Sequence, residues 1–155
     1  LKALGAVVSA NPYYHYILSD IYSQRWLGPD RGSQMVRLGS LERHGVPFAL
    51  HSDCPMAPLS PLTLAHNATN RITIQGELTG ARERISLDAA LRGITTNAAW
   101  IMGWEDEIGS IRAGKKADFT VLEADPYQVG APGLRDISVW GTVFEGEVHP
   151  LEENR

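Results

Sequence analysis

A short apolar run that leads into a carboxylate and a proline-rich turn is the feature that most constrains this chain. Residues 46–50 are mostly apolar, and His51, Ser52 and Asp53 follow them directly. Apolar side chains at nearly every position are typical of a parallel strand covered on both faces, because a strand with one solvated face alternates apolar and polar residues. In sheets and barrels of parallel strands, ligands bind at the carboxyl ends of the strands. The run therefore predicts a buried strand that presents Asp53 at such an edge.

Asp53 has two interpretations that the local sequence leaves open. An ionised carboxylate at a strand end can ligate a divalent metal or take a proton from a bound water. An aspartate before a proline turn is also a common turn former or helix cap, with its carboxylate bonded to nearby backbone N–H groups. His51 is similarly either a ligand or a strand-end histidine with a structural partner.

The residues before this strand predict the rest of a parallel βαβ unit. Residues 5–12 indicate a strand that ends at Asn11-Pro12, and residues 33–44 have the apolar spacing of a modest amphipathic helix that ends at Gly45. The order strand, loop, helix, strand is that of two parallel strands joined by a crossover. The aromatic stretch at 13–30 predicts an irregular, partly helical loop. It is either held down by its own rings or forms a wall of a substrate pocket.

Downstream, the pattern changes from helices to antiparallel strands. Three helices are predicted here. The first spans 62–71, the second begins after the N-cap Ser86, and the third spans 97–102 with Thr96 as its cap. From residue 108 on, two strand-turn-strand patterns are predicted, one around the solvated turn 113–115 and one over 137–148. This change places a boundary near residues 104–107 and divides the chain into segments 1–104 and 105–155.

Composition and charge exclude several classes of partner. The 155 residues carry a net charge of −4, and no Lys/Arg stripe is present to neutralise phosphates, so no nucleic-acid partner is expected. No apolar run approaches the roughly 20 residues that span a bilayer, so no membrane partner is expected. Cys54 is the only cysteine, which excludes an intrachain disulfide and favours a reducing, cytoplasmic location. The chain does not begin with Met, and we expect it to be a piece of a longer protein.

Five motifs, in their order along the chain, carry a family resemblance. HSDCPMAP, AHNATNR, ERISLDAALRGITTNAAWIMG, GSIRAGKKADFTVLEADP and TVFEGEVH resemble the C-terminal part of the amidohydrolase superfamily, most of all amidohydrolase family 3. The resemblance runs from about residue 5 to about residue 148. It implies an α/β fold: the C-terminal portion of a metal-dependent (β/α)8 barrel, followed by strands of a small β-sandwich. Residues 1–104 would form the last two strand/helix units of the barrel, and residues 105–155 the sandwich segment.

The resemblance also implies an activity and a site. Members hydrolyse amide and other non-peptide C–N bonds of small molecules with a divalent metal, here expected to be zinc. Asp53 matches the aspartate at the end of the last barrel strand, which contacts the metal and moves a proton from the attacking water. The local share of the substrate pocket is predicted to consist of Asn11, Tyr13, Arg31, His51 and Met56.

The sequence departs from the family pattern in ways that predict an incomplete site. It contains no His-x-His pair, and its five histidines are not arranged as the family's metal ligands. A zinc site needs at least three protein ligands, and two strands cannot close a barrel. We therefore predict a C-terminal fragment that alone holds no metal tightly and is inactive, and that self-associates or forms a homo-oligomer through uncovered sheet edges. The alternatives are a non-catalytic, self-associating module, or a relative that keeps the fold and has lost its metal.

Overall fold

Two parallel strands form the centre of the first part of the chain, as the sequence predicts. The computed structural model describes residues 1–151; the last residues of the predicted segment 105–155, namely 152–155, lie outside the described part. Strand β1 (Val8–Ala10) pairs in parallel with β2 (Phe48–Leu50), with Val8 opposite Phe48 and Ala10 opposite Leu50. These four side chains share one face of the pair and join the apolar core, because side chains two residues apart lie on the same face of a strand.

The connection between the two strands is more helical than the sequence predicts. After a single 3₁₀ turn at the amino end (Lys2–Leu4) and strand β1, helix α1 (Tyr13–Ile21) continues into a π-helical turn (Tyr22–Trp26), then α2 (Gly28–Gly32). The prediction of an irregular loop here was therefore wrong for most of the aromatic segment. Adjacent rings at 13, 14 and 16 mask the helical period, because they place aromatic side chains on opposite sides of α1.

The helix predicted over 33–44 is only α3 (Leu38–Arg43). Val36 has a φ of 52°, a left-handed conformation that no α-helix contains. The buried Arg71 guanidinium also prevents a helix at this point. It donates hydrogen bonds to three carbonyl oxygens that would accept from backbone N–H groups in a helix. These are the carbonyl oxygens of Ser33, Met35 and Val36, at 2.9–3.0 Å.

Three further helices pack beside the strands. Helix α4 (Pro61–Asn70) follows the turn, and a 3₁₀ turn (Ala81–Glu83) leads to α5 (Leu87–Gly93) and α6 (Thr96–Ile101). The predicted N-cap Ser86 is confirmed, since its Oγ accepts from the backbone N–H of Ala89 at 3.1 Å. The predicted cap Thr96 was wrong: Thr95 occupies that position, and its hydroxyl donates to the carbonyl of Leu91 instead.

The core lies between the parallel strands and helices α4 and α5. A Cβ atom at Gly93 would lie 3.1 Å from Cγ of Leu50, so α5 approaches β2 at the distance that only glycine allows without rearrangement. The amide of Asn97 donates to the carbonyl of Phe48 at 3.0 Å, which ties α6 to the same strand. The buried members of the core cluster are Leu38, Phe48, Leu50, Leu64, Ala65, Ala68, Ile85, Ala89, Ala90, Leu134 and Ile137.

A three-stranded antiparallel sheet forms the last part of the described chain. The strand order is β3 (Phe119–Leu122), β4 (Val139–Phe144), β5 (Glu147–Pro150). Between β3 and β4 the chain forms α7 (Pro126–Gly133, kinked at Gly130) and a 3₁₀ turn (Leu134–Asp136). The predicted hairpin over 137–148 is confirmed; its turn, Glu145-Gly146, has positive φ at both residues, as tight hairpins require.

The hairpin predicted around residues 113–115 was wrong, because only its second half forms a strand. The ammonium group of Lys115 donates to the carbonyl oxygens of Glu105 and Ile108, and Lys116 N–H donates to the carbonyl of Glu107. These bonds fold residues 104–116 into a loop, so Lys115 is a half-buried anchor and not the solvated turn residue predicted. With parallel and antiparallel strands and seven helices among residues 1–151, the predicted mixed α/β class is confirmed.

None of the helices in residues 1–151 combines the length and the apolar character needed to cross a bilayer.

Candidate functional site

Asp53 lies exposed just beyond the carboxyl end of β2, where the sequence places it. Its φ is 54°, in the left-handed region that aspartate tolerates better than most residues. Its own carbonyl accepts the N–H of Met56 at 2.8 Å, so the backbone turns back at this point while the carboxylate stays free of the turn. The turn interpretation therefore describes the backbone of Asp53, and the side chain remains available.

Tyr14 contacts that carboxylate, and the sequence did not identify it. Its hydroxyl donates to Oδ2 of Asp53 at 2.9 Å. Tyr14 lies in the first turn of α1, directly after β1, so the two residues come from the ends of the two paired strands. The hydrogen bond to Asp53 and the negative charge of that carboxylate raise the pKa of Tyr14 above its ordinary value of 10.0. The phenol is therefore a protonated donor at neutral pH.

Asn11 and Met56, two of the predicted pocket residues, are brought together by the structure. The buried Asn11 amide donates to the carbonyl of Ser52 at 3.0 Å and to Sδ of Met56 at 3.6 Å. Its Oδ1 accepts the N–H of Tyr13 at 2.9 Å. Asn11 therefore joins the end of β1, the start of α1 and the segment around Asp53.

The other three predicted pocket residues have different surroundings. His51 is exposed, with Nδ1 3.4 Å from Oγ of Ser9 on the neighbouring strand. Tyr13 is half-buried, and its ring centroid lies 5.2 Å from that of Tyr16. Arg31 is exposed at the end of α2, and in the described part of the chain it makes no hydrogen bond with the residues around Asp53.

Residues 1–151 contain no group of three or more His, Cys, Asp or Glu side chains that can hold a metal ion. The chain nevertheless offers one carboxylate of the right kind, since Asp53 is exposed and its Oδ1 accepts no hydrogen bond from these residues. This fits one ligand of a larger site and not a complete site.

Two buried histidines lie away from Asp53. His15 is 1% exposed, and His66 borders a cavity of about 390 Å³ between α4 and the segment 72–76, together with Asn70 and Arg135. Burial first, and then the positive charge of Arg135, lower the pKa of His66. The side-chain amide of Asn70 donates to the carbonyl oxygens of His66 at 2.9 Å and of Ala131 at 2.8 Å. This cluster joins α4 to α7 and is structural.

Comparison with known proteins identifies the family. The sequence model of the amidohydrolase family matches residues 1–149, nearly the whole chain. The chain belongs to the amidohydrolase family.

Curated relatives and solved structures agree with this assignment. The chain is 32% identical over 144 residues to the N-substituted formamide deformylase of Arthrobacter pascens, covering 92% of this chain and 26% of that protein. It is 30% identical over 121 residues to an imidazolonepropionase of Aliivibrio salmonicida, covering 74% of this chain and 27% of that protein. The structure of an uncharacterised metal-dependent hydrolase from Pyrococcus furiosus matches with a TM-score of 0.58 and 25% identity, covering 74% of this chain and 22% of that one.

The amidohydrolase chain thus spans about a quarter of the length of the curated relatives it matches.

Proposed function

We propose that this chain supplies the Asp53-bearing part of a metal-dependent hydrolase of amide or other non-peptide C–N bonds in small molecules. The observation that carries the proposal is the exposed Asp53 carboxylate at the carboxyl end of a parallel strand pair, hydrogen-bonded by Tyr14 in the first turn of α1, the helix that follows the neighbouring strand β1. The name of the relative from Arthrobacter pascens, a deformylase of N-substituted formamides, makes that class the first substrate to try.

The chemistry proposed for Asp53 is that of a ligand and a general base. Asp53 would be one ligand of a divalent metal, with zinc as the proposed ion, and the bound metal would supply an activated water and a polarised scissile carbonyl. Asp53 accepts the proton of the attacking water and passes it to the leaving nitrogen. Asn11 orders the backbone on which this carboxylate sits, through its bonds to Ser52 and Met56.

We further propose that the remaining ligands come from sequence upstream of residue 1. Among residues 1–151, β1 and β2 pair only with each other, and further strands of a (β/α)8 barrel would extend this pair, with segment 1–104 as the last two strand/helix units of that barrel. Segment 105–155 would belong to an appended β-sandwich. The chain alone would then be inactive, because one carboxylate does not satisfy the three or more protein ligands that a zinc site needs.

The test uses the complete protein that contains this chain and compares Asp53→Asn with Asp88→Asn. Asp88 is an exposed aspartate on α5 that pairs with Arg92 and Tyr127, which makes it a matched control. Metal content by elemental analysis and hydrolysis of an N-substituted formamide or a cyclic amide are measured. We expect activity to fall by about 10³-fold or more in Asp53→Asn, in the range of lost catalytic groups, and to stay at the wild-type level in Asp88→Asn. Full activity in Asp53→Asn would refute the proposal.

A second candidate function, a non-catalytic module that self-associates, is favoured by the antiparallel sheet. Trp140 and Phe144 both lie on β4, and both are exposed. Light scattering on the wild type and on a Trp140→Thr/Phe144→Thr variant tests this. Dimers that dissociate in the variant, together with no hydrolysis of amides by the complete protein, would favour the module over the enzyme.

A further inference from the structure

We infer that Tyr14 is a positioning residue for the proposed hydrolysis: its hydroxyl fixes the Asp53 carboxylate through Oδ2, so that Oδ1 stays free for the ligand and base roles proposed for this side chain. This inference rests on the proposed function and adds a residue to it. It is carried by the direct bond between the two side chains, since the Tyr14 hydroxyl lies 2.9 Å from Oδ2 of Asp53.

The backbone on both sides of this bond is held firmly. Tyr14 sits in the first turn of α1, and the N–H of its neighbour Tyr13 is bonded to the buried Asn11. The same Asn11 donates to the carbonyl of Ser52, the residue before Asp53. One buried amide thus fixes the distance between the chain segments that carry the phenol and the carboxylate.

The bond distinguishes the two carboxylate oxygens. Among residues 1–151, the Tyr14 hydroxyl is the one side-chain donor to Asp53, so Oδ2 is occupied and Oδ1 is free. Without the phenol, an exposed carboxylate rotates about χ2 and offers either oxygen, because torsions between tetrahedral and planar carbons are broad. Hydrogen bonds of this kind, which orient a ligating carboxylate, typically affect metal affinity or activity by about 10–100-fold.

A purely structural role for the pair is disfavoured by its exposure. Asp53 lies on the surface, where a hydrogen bond to a carboxylate competes with water and contributes little to folding. The effect of removing the phenol hydroxyl should therefore appear in turnover and metal retention and not in stability.

The experiment compares Tyr14→Phe with Tyr127→Phe in the complete protein. Tyr127 donates to Asp88 at 3.2 Å in another exposed tyrosine–aspartate pair, so this variant loses the same kind of bond elsewhere. We expect kcat of Tyr14→Phe to fall about 10–100-fold, with KM within about threefold. The rate at which Tyr14→Phe loses metal to a chelator should rise by a similar factor. Its melting temperature should equal that of Tyr127→Phe. Tyr127→Phe should keep wild-type kcat and metal retention.

Three results would overturn the inference, and they are distinguishable. If kcat and metal loss of Tyr14→Phe match the wild type while Asp53→Asn is inactive, the proposed function stands and the role of Tyr14 is refuted. If Asp53→Asn is fully active, the proposed function fails, and the role of Tyr14 fails with it. A crystal structure of Tyr14→Phe adds an independent readout, since the Asp53 carboxylate should rotate away from its wild-type orientation; an unchanged carboxylate would also refute the inference.

Discussion

The imidazole Nε2 of His15 lies 2.7 Å from the hydroxyl of Thr79, a residue 64 positions further along the chain. His15 is 1% exposed, and its Nδ1 has no hydrogen-bond partner among the described residues. The Thr79 hydroxyl also lies 3.2 Å from Oγ of Ser19, and its carbonyl accepts from the guanidinium of Arg71. These polar side chains fasten α1 to the segment that follows α4. Because α1 also carries Tyr14, these contacts help to fix the position of the Tyr14 side chain beside Asp53.

The first prediction concerns the pH dependence of stability at His15. Burial first, and then the positive charge of Arg71, lower the pKa of His15 from 6.5 to about 4. Between pH 6.5 and pH 4 the unfolded chain therefore binds a proton at His15 that the folded protein does not. The contribution of neutral His15 to the free energy of unfolding is fully present above pH 6.5 and falls as the pH is lowered towards 4. At pH 5 the loss from this group alone is about 2 kcal/mol.

Urea unfolding at pH 7 and pH 5, on the wild type and on His15→Gln, measures that loss. The wild type should lose about 2 kcal/mol more than the variant between the two conditions. An NMR titration of the His15 ring gives the folded-state pKa directly. Equal losses in both proteins would contradict the prediction.

The second prediction is that Arg71 is among the most stabilising side chains. It is 2% exposed, has a left-handed φ of 54° at the end of α4, and donates to four backbone carbonyls. Burial lowers the pKa of Arg71 to about 10, which leaves the guanidinium charged at neutral pH. Arg71→Met would remove the guanidinium donor from all four carbonyls; that of Val36 keeps the N–H of Leu38, while those of Ser33, Met35 and Thr79 lose the donor found here. Each buried unsatisfied group costs about 1–3 kcal/mol.

We expect Arg71→Met to lower the free energy of unfolding by at least about 3 kcal/mol. Arg71→Lys should recover only part of this loss, because an ammonium cannot reach four carbonyls with the geometry of a guanidinium. Arg112→Met, at an exposed arginine, is the control and should change stability by less than about 0.5 kcal/mol. If Arg71→Met unfolded at the same urea concentration as the wild type, the prediction would be refuted.

The third prediction concerns Glu83, a buried carboxylate that holds the start of α3. Its Oε2 accepts the N–H of Ser40 and its Oε1 the hydroxyl of the same residue, both at 2.7 Å. Burial raises the pKa of Glu83, but the Ser40 hydrogen bonds and the charges of Arg37 and Arg43 outweigh it, so the net pKa is lowered from 4.5. Stability from this group is therefore present above pH 4.5 and lost as the pH falls through the lower folded-state pKa.

Glu83→Gln should lower stability at neutral pH by about 1.5–3 kcal/mol, the range of hydrogen bonds to a charged group. The difference from the wild type should shrink below pH 4.5. Glu77→Gln, at an exposed glutamate, serves as the control in the same thermal or urea series. A deficit of Glu83→Gln that stays constant down to pH 3 would contradict the assignment of the effect to the ionised carboxylate.

Local patterns predicted the elements whose causes are local. The apolar run before Asp53 predicted β2, Ser86 predicted the start of α5, and the glycine at the turn predicted the β4–β5 hairpin. In each case the interaction that decides the structure lies within a few residues of the signal, so the sequence contains it. The parallel pairing of β1 with β2 also followed, since the order of strand and helix leaves few topologies.

The elements that the sequence missed depend on side chains far away in the chain. The bond from Arg71 to Val36, which shortens α3, joins residues 35 positions apart, and the Tyr14–Asp53 bond joins residues 39 positions apart. No pattern within either segment contains these contacts. Tyr14 could have been suspected from one signal only, its place directly after a strand whose neighbour ends at Asp53.

The last prediction concerns the cap of α5, where Glu42 and Ser86 bond twice. Ser86 Oγ donates to Oε1 of Glu42 at 2.6 Å, and the Ser86 N–H donates to Oε2 at 3.0 Å, while the same Oγ caps the N–H of Ala89. Ser86→Ala should cost about 1–2 kcal/mol, the upper range for N-caps. A double-mutant cycle with Glu42→Gln should give a coupling of about 0.5–1 kcal/mol, because Glu42 orients the hydroxyl that caps the helix. Thr95→Ala is the control, since its hydroxyl bonds back to Leu91 and caps nothing, a contact that stabilises helices little. Urea unfolding is measured on the wild type, the two single variants, the double variant and Thr95→Ala. Additive losses in Ser86→Ala and Glu42→Gln would show that the two residues act independently.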